Sequence, residues 1–440
     1  MAPFANMLAN ACGQPYLFSL EAEAEARLCF LDTLGCIYAG WHTSQAKKTR
    51  TAFKNDSAAS IDALIFGVAA HALDFDDYEI SGSTHPSAVI CASLLAGAMQ
   101  QKTTIGQLLK SYIAGYEVLS RTGLAMGYQH YIAGWHATST TGIIGGAAAM
   151  AYLNGADEHK IAHSLAIAAS LASGLKSQFG SEAKAMHAGF AARAAIEAAR
   201  LGTNGLEAVL EIFEKQGGFF NLFSGHALIE EALTEPKPQQ AMLLHSPVFR
   251  KPWPSCSYTH RLIASALKLA PEVHTRLDQI QAIILKIPEP YFQVASFTHP
   301  KTESEARFSL SYCVATCLID NQLSAKSFDK RAIAREDIKS LLAKTQTLAY
   351  PVGDDFKDMH PDFPDWLIIT LKDGRQFEAV LAHPPGSEYA PMTQKECLEK
   401  FIACGGDTGM AELILDAPSS QKITVTPTPE GPKISADTAD

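Results

Sequence analysis

The chain has 440 residues, 47% of them hydrophobic and 19% charged, enough apolar material to bury a large core and to divide into two domains. A formal net charge of −10 argues against a nucleic acid or an anionic membrane as partner, because both need a basic face that displaces counterions. Nine scattered cysteines, an odd number with no CxxC pair, fit reduced thiols in a cytoplasmic protein better than a disulfide framework or a zinc site. Cys313 and Cys317 stand one helical turn apart, but two thiols do not complete a metal site. The N-terminal MAPFANMLANACGQ has no basic segment leading into an apolar one, so no signal peptide is expected. The longest apolar stretches, 88–99 and 142–153, fall short of the about 20 residues a membrane span needs.

From Ser19 to Leu233, Ala, Leu, Ile and Gly recur at helical spacing with few alternating β-branched runs, which predicts consecutive buried helices. They are expected at 21–39, 61–77, 87–100, 105–126, 140–153, 158–175 and 185–201. Beyond Phe249 the texture changes. Lys251-Pro252-Trp253-Pro254 breaks any helix, and 279–287 reads as an Ile-rich strand, so a domain boundary is placed near 250. The runs 366–371 and 376–381 flank Asp373-Gly374, a tight-turn pair that predicts a β-hairpin. Thr393 and Glu396 form a capping box that starts a new helix near 391, and residues 419–440, rich in Pro, Thr, Ser and Asp, read as a mobile tail.

The richest chemical segment holds His71, Asp74, Asp76, Asp77, Tyr78 and Glu79, followed by His85-Pro86-Ser87. If the helix from Ile61 runs through it, His71, Asp74 and Tyr78 share one face. His85 would then sit where the next helix begins and backbone N–H groups can hold an anion. This segment is either a carboxylate holding a histidine ready for proton transfer, or a helix end with solvated acids. A di-metal reading has the ligand types but lacks a matching Glu-x-x-His helix. His136 precedes a hydroxyl-rich helix start, and the glycines after it fit no nucleotide-binding loop. Lys184 and His187, one turn apart among alanines, suit a carboxylate clamp better than a solvated face. Lys251 through His260 lie at the expected domain junction, where ligand sites gather. Arg307 and Tyr312 lie on a helix that could reach a substrate or be merely amphipathic.

Taken in order, HALDFDD (71–77), HPS (85–87), GWHATST (134–140), AKAMHAG (183–189), KPWPSC with TH (251–260) and EARFSLSY (305–312) resemble the MmgE/PrpD family, across roughly residues 20–410. The resemblance implies a mainly α protein with a smaller α+β domain: a large all-helical domain from 1–249 and the return helices 391–418, with an α+β lid at 250–390. It also implies a homodimer without metal or organic cofactor. The family's activities are dehydration of 2-methylcitrate, decarboxylation of cis-aconitate and epimerisation of iminodisuccinate. By this resemblance Asp74, His85, His136, His260 and Tyr312 are the expected catalytic groups, and Tyr78, Lys184, His187 and Lys251 the expected substrate-binding ones. Tyr78 stands where the family often has Thr, and Ala137 and Met186 also depart from its usual motifs.

The residues support a lyase that acts on a citrate-like or aconitate-like acid by acid/base catalysis, with cations neutralising the carboxylates. Epimerisation of an iminodisuccinate-like compound is the enzymatic alternative. A catalytically silent polyanion binder is the other, although binding alone would not call for several titratable histidines.

Overall fold

The computed structural model describes residues 2–225, 239–353 and 356–437. Part of the stretch expected to be helical up to Leu233, at 226–238, lies outside the described residues, as do 438–440 at the end of the expected tail.

Helices Leu20–Trp41, Ala59–His71, Pro86–Ala98, Ile105–Ile132, Gly142–Leu153, Glu158–Leu171 and Ala183–Thr203 enclose one hydrophobic core. Their small residues let backbones approach closely. A Cβ added at Gly67 would lie 2.8 Å from the Gly189 Cα, so helices Ala59–His71 and Ala183–Thr203 cross almost backbone to backbone. Late in the chain, helix Gln394–Ala403, opened by the Thr393/Glu396 capping box, returns Phe401 to this core against Leu20–Trp41. No described helix is long and apolar enough to cross a membrane.

A second core surrounds a four-stranded sheet. With β1 at Thr103–Thr104, its strands are β2 (Ile280–Pro288), β3 (Thr345–Tyr350), β4 (Asp365–Leu371) and β5 (Gln376–Leu381), in the order β3-β2-β4-β5. β2 runs parallel to β3 and antiparallel to β4. Gly374, at φ 88°, makes the tight turn between β4 and β5. Helices His260–Val273 and Leu310–Asp320 pack with this sheet.

Two expectations fail locally. The helix expected over 61–77 stops at His71, and Asp74 takes a left-handed conformation at φ 52° that turns the chain out of the helix. His71, Asp74 and Tyr78 therefore share no helical face. The tail expected to be mobile instead forms β6 (Lys422–Thr428) and β7 (Gly431–Ala436), which pair with each other and with β1. Ile423, Val425 and Ile434 alternate into the helical core, while Tyr38 Oη and Trp41 Nε1 donate to the carbonyls of Pro432 and Pro429. Three aliphatic side chains at strand spacing were enough to outweigh a turn-rich composition.

Candidate active site

The segment after His71 is shaped by long-range contacts. Tyr78 exchanges backbone hydrogen bonds with Phe249 at 3.0 and 2.6 Å, and the Arg307 guanidinium donates to the carbonyls of Leu73 and Pro254. His85 N–H donates to Thr138 Oγ1 at 3.0 Å, setting the imidazole at the start of Pro86–Ala98.

Held this way, the neighbouring aspartates take separate tasks. Asp74 receives Lys184 Nζ on Oδ2 at 3.0 Å and Lys251 Nζ on Oδ1 at 2.5 Å, and Lys251 also donates to its carbonyl. Burial alone would raise the Asp74 pKa, but the two ammonium groups hold it well below the usual carboxylate range. Asp76 accepts from His71 Nδ1 at 2.7 Å and stands 3.4 Å from His85 Nδ1. Asp77 turns away to Ser87, whose hydroxyl also meets Tyr112 at 2.7 Å; burial raises its pKa to about 7. Glu79 closes its own loop, accepting from Thr84 Oγ1 at 2.7 Å and from Gly82 N–H.

His136 enters from a backbone bridge between Trp135 and Leu175, with its N–H on the Gly174 carbonyl. Its Nδ1 lies 2.9 Å from His187 Nδ1, so one ring donates and the other accepts. The rings of His71 and His85 meet edge to face at 4.7 Å, and His71 stacks on His136 at 5.4 Å. Burial, reinforced by Lys184 and the neighbouring rings, holds His136 neutral far below its ordinary pKa. Burial lowers His85 as well, although Asp76 opposes the shift. Lys184 lies 5.3 and 5.2 Å from the Phe179 and Phe308 ring centres.

These groups wall a cavity with Asp74, His85, His136 and Lys184 on the helical side, Tyr78, Cys256, Tyr258 and Phe308 from the sheet-bearing core, and Asp358 from the segment between β3 and β4. The cavity is narrow, with a free volume of about 30 Å³. Lys251 and His187 stand directly behind the wall, bonded to Asp74 and His136.

Two of the residues expected to be catalytic do not join the cavity. Tyr312 Oη donates to the Ser327 carbonyl at 2.6 Å and its ring packs near Phe328, since its helix turns that face into the second core. His260 is fully buried with Nε2 3.2 Å from the Ser255 carbonyl and its ring edge-on to Trp253; burial lowers its pKa to about 3. In place of His260, the nearby Cys256 faces the cavity, its thiol kept protonated by burial with a pKa near 12. Asp358 and Tyr131 also line it without having been singled out. Cys256 could have been suspected from its place inside the KPWPSC motif, whereas nothing local marks Asp358.

His71, Asp76 and His85 are, among the described residues, donors close enough to ligate one ion, all within 4.8 Å. The set fits a metal poorly. His71 and Asp76 already bond each other, and the two lysines on adjacent Asp74 oppose a further cation. A wider groove of about 790 Å³ lies behind the 73–75 and 252–254 segments. It has no histidine, and its Lys400 is committed to Asp32.

Both halves of the chain have counterparts among known proteins. Human cis-aconitate decarboxylase is 29% identical over 354 residues, covering 78% of this chain and 71% of that protein. The mouse cis-aconitate decarboxylase is 29% identical over 355 residues, covering 78% and 70%. A cis-aconitate decarboxylase-like protein oryM of Aspergillus oryzae is 24% identical over 469 residues, covering 96% and 94%. Residues 8–232 match the MmgE/PrpD N-terminal domain and residues 253–413 the MmgE/PrpD C-terminal domain, so both walls of the cavity carry the same signature and the chain belongs to the MmgE/PrpD family.

Proposed function

We propose that the protein is a lyase acting on an aconitate-like polycarboxylate, releasing carbon dioxide by acid/base chemistry. The observation that carries this reading is the pairing of Lys184 and Lys251 on Asp74, beside the neutral imidazoles of His85 and His136. Both lysines are balanced by the ionised Asp74 and Asp76, so an entering polyanion tips the pocket negative and raises the affinity of the imidazoles for protons. A proton thus arrives with the substrate. When the carbon–carbon bond to the departing carboxylate breaks, the electron pair left on carbon takes that proton from His85 or His136 and a new C–H bond forms. Lys184 stabilises the charge while it resides on the conjugated carboxylate. The names of the relatives support an aconitate-like substrate, and the step asks only for cations and one acid. Tyr312 and His260 have no part in it, being turned from the cavity.

A homodimer and a cytoplasmic setting belong to the same proposal. The nine free cysteines support a reducing compartment, and sedimentation of the purified chain tests the dimer. The activity is tested by incubating EDTA-treated protein with cis-aconitate, 2-methylcitrate and iminodisuccinate and following products by mass and chirality. Loss of carbon dioxide from cis-aconitate that K184A abolishes is the expected result. Activity lost with chelator and restored by a divalent metal, or turnover of iminodisuccinate alone, would overturn it.

A further inference from the structure

Helix Ala59–His71 runs into a turn in which four successive carbonyls accept side-chain donors from distant parts of the chain. Ala72 takes Gln45 Nε2 at 2.9 Å, Leu73 takes Arg307 at 3.3 Å, Asp74 takes Lys251 Nζ at 3.0 Å and Phe75 takes Lys400 Nζ at 2.8 Å. A residue other than glycine at positive φ, as Asp74 is at 52°, persists where its surroundings fix it, and these donors do so. Three of them carry positive charge, which suits carbonyls at a helix C-terminus. Lys251 has a second use on the Asp74 carboxylate, and Arg307 on the Pro254 carbonyl. Lys400 is centred on Phe75: its ammonium also lies 3.9 Å from the Phe75 ring centre, and on its other side it pairs with the fully buried Asp32 of Leu20–Trp41 at 2.8 Å. Burial opposes this charge, and Asp32 more than offsets the opposition.

We propose that Lys400 is a positioning residue of this active site: it reaches from the return helix Gln394–Ala403 to lock the peptide between Phe75 and Asp76, and so sets the Asp76 carboxylate against His71 and His85. This rests on the lyase reading above. The peptide unit is planar, so a fixed Phe75 carbonyl also fixes the Asp76 N–H and Cα from which that side chain starts. Asp76 has little slack. Its Oδ2 is 2.7 Å from His71 Nδ1 and 3.4 Å from His85 Nδ1, and a shift of about 1 Å breaks either contact. Stability alone gives little reason for an ion pair here, since replacing a buried pair by well-packed apolar residues is often neutral or stabilising. The aim of the pair accounts for it: Asp32 holds the ammonium, and the ammonium holds the turn. Asp74, by contrast, is held directly by Lys184 and Lys251. Loss of Lys400 therefore falls on the proton-transfer side of the site rather than on the cations that meet the substrate's carboxylates.

The test uses the full-length protein, with cis-aconitate for turnover and unreactive tricarballylate for calorimetric binding. K400M keeps the length of the side chain but leaves Asp32 buried and unpaired, so D32N/K400M, which removes both charges together, is measured beside it. K400R restores a charged donor, for which the groove beside Lys400 leaves room. Both methionine variants are expected to lower kcat about tenfold or more, as for loss of one hydrogen bond from a charged donor, with the tricarballylate Kd changed less than about threefold. K400R should recover most of kcat. Should K400M not fold, the other two variants carry the test. A folded D32N/K400M with wild-type kcat overturns the inference. So does a loss of kcat matched by an equal rise in Kd, which would mean that Lys400 supports the cavity as a whole, and so does a K400R no better than the methionine variants. If wild type neither turns over cis-aconitate nor binds tricarballylate, the lyase reading falls first and the inference with it.

Discussion

Replacing Asp74 by Asn tests the charge arrangement on which the site depends. Asn tolerates the left-handed backbone at this position (φ 52°) and has nearly the same shape, so the perturbation is almost purely electrostatic. Lys184 and Lys251, at 3.0 and 2.5 Å, would then face a neutral amide while remaining buried. At an effective dielectric constant of about 20, one unit pair at about 3 Å gains roughly 5 kcal/mol before desolvation. Measured losses on breaking a buried pair are about 3–5 kcal/mol. D74N should therefore unfold several kcal/mol more easily by urea or guanidinium titration. The uncovered ammonium groups should also make a stronger anion site, so that tricarballylate raises the melting temperature of D74N more than that of wild type, while turnover falls. A D74N protein as stable as wild type, with no extra stabilisation by a polyanion, would refute the idea that this carboxylate holds the two lysines in place.

Gly189→Ala would set a Cβ 2.5 Å from the Leu64 carbonyl oxygen, on the helix that carries Lys184. It should cost about 1–3 kcal/mol and lower kcat with it, and a fully active, undiminished G189A would contradict the close crossing. Truncation after Pro418 removes buried Ile423, Val425 and Ile434, at roughly 1.5–3 kcal/mol each. Calorimetry should show a clearly lower melting temperature, where loss of a mobile tail would leave it unchanged. His130, between Thr140 Oγ1 and the Phe223 carbonyl, is lowered by burial to a pKa of about 4. Its unfolded form binds a proton below about pH 6.5 while the folded form does not. Stability is thus present above that pH and is lost as pH falls toward 4. H130Q should flatten the fall by up to about 1.4 kcal/mol per pH unit in that window, and an unchanged slope would show that the ring is already protonated in the fold.

Helical periodicity was sufficient to locate the helices, because residues three and four apart must share a face whatever surrounds them. Turn chemistry at Asp373-Gly374 and the Thr393 capping box likewise acts over a few residues, and both stand where the sequence alone puts them. The motif residues Asp74, His85 and His136 were legible through the family resemblance of their motifs, and Lys184 also because a cation one turn from His187 among alanines makes little sense on a solvated face. Their division of labour was not legible. Once the chain leaves the helix at His71, its path is set by Phe249, Thr138 and Arg307, which are distant in sequence. Only that path sends Asp74 to the lysines, Asp76 to the histidines and Asp77 to Ser87. Packing of the second core also turned Tyr312 and His260 inward and brought Cys256 and Asp358 to the cavity instead. Local sequence sets which residues can be neighbours along an element, whereas the residues that meet across a cleft are chosen by contacts that exist only after both cores have formed.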